Sequence, residues 1–409
     1  MLKAGNGWRR FWGNSAALLT GRLTTQALGF LFTLLLARRL GAAGLGQYSY
    51  LSTILFAGNV ATTFGLDTLL IRAAAQGGAD VTPLARQTLK LQMLLVLLFA
   101  GLIALGQPLL LSRTAAPAAA LWLYLPALLP LALGTVGSAL LRGWERMEFH
   151  LLYTMVGQLG QLLAGGLLLI LPPSLPLLML LLTLTQTLAA VAAYQLCRQT
   201  QPGFSLRGWP QATGLSTLLR QAWPLAALAV LALLYQRLGI LTLSWYRDDA
   251  AVGQFAAAGR LLEGAKLLPY ALFGALFPRL SQSGGVWPPA WRRLFRFLFA
   301  GMIALMVGLI WLGPALLELL FGMGYEPAGP ALQILALSLP AFLLTLRLSF
   351  TLVTANQERR ALLAMAASLF LALLLFLPLT ATHGVTGAAW ATTLAEWAQV
   401  ALLLLTRPR

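Results

Sequence analysis

Apolar runs of about 20 residues recur from one end of the chain to the other, and most hold at most one charged residue. A helix of that length matches the ~30 Å hydrocarbon thickness of a bilayer. Lipid offers no partner to a backbone N–H or C=O, so such runs must close their hydrogen bonds internally, as helices. Composition agrees: 59% of the 409 residues are hydrophobic, 10% are charged and the mean hydropathy is +0.79, far from the values of a soluble domain. The runs predict an all-α polytopic membrane protein with about twelve transmembrane helices, near 14–36, 47–70, 88–110, 118–140, 150–171, 175–196, 221–246, 252–278, 295–317, 328–354, 359–379 and 384–405.

The formal charge of +17 would suit a nucleic-acid partner, but the Lys and Arg residues sit in the short links between apolar runs. That is the pattern of membrane topology, so no nucleic acid is expected. With the N-terminus inside, the inner links hold nineteen Lys or Arg and the outer links four, Arg38, Arg39, Arg113 and Arg247. Both termini are therefore expected in the cytoplasm, and Lys3, Arg9 and Arg10 precede a full-length run with no cleavage signal, so the first helix is expected to be kept. The outer links "PPSLP" (172–176), "YRDD" (246–249) and "ATHG" (381–384) are short, which disfavours an enzyme that would need a larger loop there. Cys197 is the single cysteine, and the only histidines are His150 and His383, so neither an internal disulfide nor a metal cluster is expected. No G-x-x-x-x-G-K-[ST] is present, and no cofactor is expected.

The two halves of the chain resemble each other. "AAGLGQYSYL" (42–51) parallels "DAAVGQFAAA" (249–258), at an offset of 207 residues. Pro117 parallels Pro330, Leu125–Pro126–Ala127 parallels Leu339–Pro340–Ala341, and Glu145–Arg146 parallels Glu358–Arg359, at offsets of 213–214. Ordered matches at nearly one offset point to duplication. The expected organisation is an N-lobe over 1–200 with helices 1–6, a cytoplasmic linker over 201–220, and a C-lobe over 221–409 with helices 7–12. Six helices per half make the repeat parallel, and two such lobes are expected to enclose a central cavity, the usual seat of a transported substrate.

Inside the spans lie Arg22, Arg237, Arg260, Lys266 and Arg347, with Asp67, Glu263 and Glu396 as the acidic minority. A cation at mid-span costs roughly 2.5–3.5 kcal/mol on insertion scales. Helical spacing groups the polar residues into stripes: Arg22, Gln26, Gly29 and Thr33; Asn59, Thr63 and Asp67; His150, Thr154, Gln158 and Gln161; Thr392, Glu396 and Gln399. Such stripes turn away from lipid, toward protein or water, and any single Thr, Asn or Gln can serve simply to bond one helix to another. Glu263 stands three residues from both Arg260 and Lys266, so it can neutralise one of them. Asp67 suits Arg72 or a cation on a neighbouring helix, and Arg347 can lean toward the inner face. Arg22 and Arg237 have no acidic residue in their own spans. An arginine fork takes two phosphate oxygens and keeps its charge at any relevant pH, so the five cations are expected to bind substrate, a cargo bearing phosphate or pyrophosphate. Gln26, Asn59, Asp67, Gln158, Gln161, Glu263 and Glu396 are expected to be the polar lining of the cavity.

Several segments resemble the polysaccharide or O-antigen flippases of the Wzx type, within the multidrug/oligosaccharidyl-lipid/polysaccharide (MOP) exporter superfamily. They are "GRLTTQALGFLFTLLLARRLGAAGLGQYSYL" (21–51), "FGLDTLLIR" (64–72), "LRGWERMEF" (141–149), "VGQFAAAGRLLEGAKLLPYALFGALFPRLS" (252–281) and "TANQERRALL" (354–363). Ala42–Ala43 stand where many members of that family carry Pro-Glu. The resemblance implies a two-lobed carrier in the bacterial inner membrane that moves undecaprenyl-pyrophosphate-linked oligosaccharide from the inner to the outer leaflet by alternating access. It also implies membrane lipids and other polysaccharide-assembly membrane proteins as partners and a monomeric state, with Arg22, Arg237 and Arg260 on helices comparable to those that line the family's cavity. Outward movement of an anionic headgroup is downhill by roughly 2.3 kcal/mol per charge per 100 mV, so the membrane potential or an ion gradient is the expected source of energy. A peptidoglycan-precursor flippase, a cation or drug antiporter of the same superfamily and a membrane-bound O-antigen ligase or polymerase stay open as alternatives. The antiporter would need acids to exceed cations in its cavity.

Overall fold

The structure is a computed structural model that describes residues 4–76, 80–206, 208, 215–282, 289–354 and 357–405. Among them the regular elements are helices: α1 (Ala4–Thr63), α2 (Leu66–Gln76), α3 (Thr82–Leu111), α4 (Ala118–Tyr124), α5 (Leu128–Gly143), α6 (Met147–Leu167), α7 (Leu175–Thr200), α8 (Leu215–Tyr246), α9 (Asp249–Gln282), α10 (Pro289–Phe321), α11 (Gly329–Ala336), α12 (Ser338–Thr354) and α13 (Glu358–Leu405). Eight helical stretches meet the length and hydropathy of a membrane span; α6 and α9, which carry polar faces, are not among them.

Two helices hold a break where only glycine fits easily. Gly41 interrupts α1 at φ 68° and Gly384 interrupts α13 at φ 60°, left-handed values that cost a residue with a Cβ. Each of these long helices is thereby two crossings. The α4–α5 pair is one crossing bent through the 3-10 turn Leu125–Ala127, and α11–α12 is one crossing interrupted at Leu337, so the described residues give twelve crossings. The two bends fall on or within two residues of the paired Leu-Pro-Ala motifs. In both halves proline removes a backbone donor at that depth, and the following Glu-Arg motifs stand at the starts of α6 and α13. The second crossing ends sooner than the apolar run suggests, because Phe64 and Gly65 take positive φ between α1 and α2.

The chain forms two compact units, Met1–Phe32 with Leu51–Leu233, and Thr33–Tyr50 with Leu234–Arg409. In the first unit α5 and α6 pack on α7, and α2 packs on α5. A core of Leu70, Ala74, Ala85, Val136, Leu140 and Cys197 closes one end, with Phe204 inserted from the segment after α7. Trp144 meets Phe204 edge-on at 5.9 Å, and Arg86 Nε donates to the Ser205 carbonyl at 2.9 Å. Asp80 opens α3 by accepting from the Thr82 backbone N–H at 2.9 Å. The Thr82 hydroxyl and N–H, and then the Arg86 charge, hold the Asp80 carboxyl below its usual range.

In the second unit the N-terminal ends of α9 and of the second segment of α1 touch backbone to backbone. A Cβ on Gly46 would fall on the Asp249 carbonyl and 3.0 Å from Gly253 N, and a Cβ on Gly253 would fall on the Ala42 carbonyl and 3.0 Å from Gly46 N. Residues 42 and 249, like 46 and 253, are 207 apart, so the contact maps onto itself when the two halves are exchanged. Gln47 Nε2 also donates to Asp249 Oδ2 at 3.2 Å.

Arg38 and Arg247 serve helix ends in this unit. Arg38 donates from Nε to the Leu320 carbonyl at 2.7 Å and from Nη2 to that of Leu319 at 2.8 Å, at the C-terminus of α10. Arg247 Nη2 donates to the Ala381 and Thr382 carbonyls at 2.9 and 3.3 Å, just before Gly384 breaks α13. The last carbonyls of a helix have no partner within it and carry partial negative charge. A cation bonded to them offsets both defects, which accounts for arginine at these two positions. Arg38→Gln should lower the thermal midpoint of the purified protein in detergent by about 2 °C, the expected cost of one such cap.

Candidate functional site

Several polar groups within the spans find partners inside their own unit. Two stripe threonines, and Thr25 beside the first stripe, bond back to their own helix: Thr25 Oγ1 donates to the Gly21 carbonyl at 2.7 Å, Thr154 to that of His150 at 2.9 Å and Thr392 to that of Ala388 at 2.9 Å. These hydroxyls need no partner across the bilayer.

In the first unit Asp67 on α2 meets Arg142 on α5, with Nη2 3.4 Å from Oδ2. This is a cation on a neighbouring helix rather than Arg72. Ser138 Oγ and His150 Nδ1 are 3.2 Å apart one turn away. Gln158 faces α1, its Oε1 3.9 Å from where a Cβ on Gly29 would lie. Gln26 is exposed, while Gln161 and Asn59 are half-buried. The side chain of Arg22 lies outside the described residues.

The second unit assembles the richest polar surface, along α9. Arg260, Glu263, Lys266 and Tyr270 fall at i, i+3, i+6 and i+10, within about a third of the helix circumference. Arg260 Nη1 lies 2.8 Å from Glu263 Oε2, and their side chains are 33% and 56% exposed. A stripe of charge this open cannot face acyl chains at tolerable cost, so it faces water. Lys266 turns inward: its Nζ lies 3.1 Å from Glu396 Oε1 on α13, the two side chains being 15% and 10% exposed. The ammonium also sits 4.7 Å from the centroid of the Phe342 ring on α12. Tyr270, one turn along α9, meets that ring edge-on at 4.8 Å, and Tyr235 on α8 donates to Gln399 Oε1 at 3.4 Å.

Arg347 lies with its guanidinium carbon 4.4 Å from the Phe295 ring centroid, and Arg237 is half-buried on α8, two residues after Tyr235. Of the residues picked out by sequence, Lys266 meets Glu396 and Arg260 meets Glu263. The partners Arg142, Tyr235, Tyr270 and Phe342 were not singled out. Only Gln399 had a signal, its place in the Thr392, Glu396, Gln399 stripe. No group of three or more His, Cys, Asp or Glu side chains suited to a metal occurs among the described residues.

Comparison with known proteins gives the family and the fold. A family model described as "Polysaccharide biosynthesis protein" matches residues 11–283. A Shigella dysenteriae protein named "Putative O-antigen transporter" is 32% identical over 124 residues, covering 30% of this chain and 31% of that protein's own length. Among solved structures, the lipid II flippase MurJ in an inward closed conformation superposes with a TM-score of 0.77 at 15% identity, over 95% of this chain and 87% of that one. A multidrug resistance MATE family transporter of the MOP superfamily, in an inward-facing conformation, gives 0.72 at 14% identity, over 95% and 96% of the two chains. With twelve helical crossings, the fold of the MOP-superfamily transporters and a family model spanning most of its length, this multi-pass membrane protein belongs to the polysaccharide biosynthesis protein family.

Proposed function

We propose that the protein is a flippase of the bacterial inner membrane. It moves an undecaprenyl-pyrophosphate-linked oligosaccharide from the inner to the outer leaflet by alternating access, with both termini cytoplasmic. The observation that carries this reading is the charge placed at mid-span in the second unit, where Lys266 is matched by Glu396 and Arg237, Arg260 and Arg347 stand against Glu263. That excess of two positive charges calls for an anion, and arginine forks match phosphate oxygens. The family, the O-antigen transporter relative and the fold of a lipid II flippase support a lipid-linked glycan as the cargo. The same excess argues against a cation antiporter, whose cargo it would repel. Energy comes from the membrane potential or an ion gradient.

The test is surface polysaccharide in cells whose only copy of the gene carries Arg237→Ala, with Arg22→Ala made separately. At normal protein levels, loss of one phosphate-binding fork should cut export about tenfold or more, the effect of one lost charge-assisted hydrogen bond. Arg237→Lys, which keeps the charge without the fork, should retain part of the activity. Normal polysaccharide in both alanine strains, or resistance to cationic dyes conferred by the protein, would sink the proposal.

A further inference from the structure

The arginines account for a phosphate, but the cluster around Lys266 and Glu396 is built differently. The pair is neutral as a whole, so it holds a pyrophosphate poorly. It comes from helices 130 residues apart in the chain and is nearly buried, although an apolar pair of similar size would pack there at lower cost. Around it stand groups with both donor and acceptor capacity. Gln399 has an amide, its Oε1 accepting from the Tyr235 hydroxyl at 3.4 Å. Beside them, Tyr270 leaves half of its surface exposed on the α9 face argued above to meet water.

That combination matches one ligand chemistry. Each hydroxyl of a sugar both donates and accepts, so neighbouring hydroxyls fit a carboxylate beside an ammonium, or the two ends of an amide. The C–H face of a pyranose is apolar and lies flat on an aromatic ring, and a half-exposed tyrosine supplies that apolar body with a polar tip. Ligand sites of this kind pair an aromatic wall with a few fixed polar groups. We infer that Lys266, Glu396, Gln399 and Tyr270 form a subsite for sugar hydroxyls of the cargo headgroup, distinct in role from the arginines that take its phosphates. The inference rests on the flippase reading. It makes the subsite the place where cargo identity is read, since sites built to bond a hydroxyl reject analogues that lack it.

The experiment compares two probes, undecaprenyl pyrophosphate and undecaprenyl pyrophosphate carrying one hexose, by their affinity for the purified full-length protein in detergent. The variants are the charge swap Lys266→Glu with Glu396→Lys, which keeps an ion pair in place, and Tyr270→Leu, which keeps apolar bulk. For the wild type the hexose should add about tenfold in affinity. Each variant should lose most of that gain while binding the bare pyrophosphate within about twofold of wild type. Wild-type affinity for the glycosylated probe in the charge swap would mean that the pair is structural, and the subsite falls. Equal losses for both probes in the variants would also overturn it, as would a wild type that binds the bare anchor and gains nothing from the hexose; that last outcome leaves the flippase reading standing. A wild type that binds neither probe overturns the flippase reading and the subsite with it.

Discussion

Gly46→Ala should leave little or no folded protein in the membrane. The added methyl would fall on the Asp249 carbonyl, a backbone atom that no rotamer change can move. The two helices would have to separate, losing close backbone packing in a setting where dispersion is the main force between helices. The expected cost is about 3–5 kcal/mol, at the upper end for overpacking. Gly253→Ala should do the same, because its methyl would fall on the Ala42 carbonyl. Gly101→Ala, with open space around its Cβ position, should change little and serves as the control. Protein level and monodispersity in detergent decide the matter, and a well-folded Gly46→Ala protein would refute the close contact.

Breaking the Lys266–Glu396 pair from one side should be the second large effect. Glu396→Leu leaves an ammonium nearly buried beside Phe342, and Lys266→Met leaves a carboxylate in the same place. Stranding one charge of a buried pair costs about 3–5 kcal/mol, which corresponds to a fall of about 6–10 °C in thermal midpoint for a protein of this size. The double substitution removes both charges and should return the midpoint to within a few degrees of wild type. Additive losses in the double variant would show that the two side chains do not stabilise each other. The contrast with export is informative, since the double variant should be stable and still fail to handle glycosylated cargo.

Much of the fold could be read before any coordinates, because a bilayer leaves the backbone few choices. The apolar runs marked the crossings, and the Gly-Gln-aromatic and Leu-Pro-Ala pairs marked the close glycine contact and the two bent crossings. What escaped were features set by local backbone strain or distant partners. The break at Phe64 and Gly65 sits within an apolar run, where hydropathy has no sensitivity to φ. The interruption before Ser338 was likewise hidden, although Pro340 stood nearby. The site followed the same rule. Spacing offered Glu263 to either Arg260 or Lys266, and only the fold assigns it to Arg260 and gives Lys266 to Glu396. Tyr235, Tyr270 and Phe342 lie in apolar surroundings where an aromatic residue reads as filler, and nothing in the order of the residues marks the polar groups they approach.

The reciprocal contact of Gly46 and Gly253 bears on how such a chain could have arisen. In a half-length ancestor pairing with its own twin, one glycine would have met its counterpart across a dyad, so a single mutation would have damaged both sides of the joint at once. In this chain the two positions are encoded separately, yet each stands against the other's neighbouring carbonyl, and neither is free to take a larger residue. A seam of that kind resists drift for reasons of space alone.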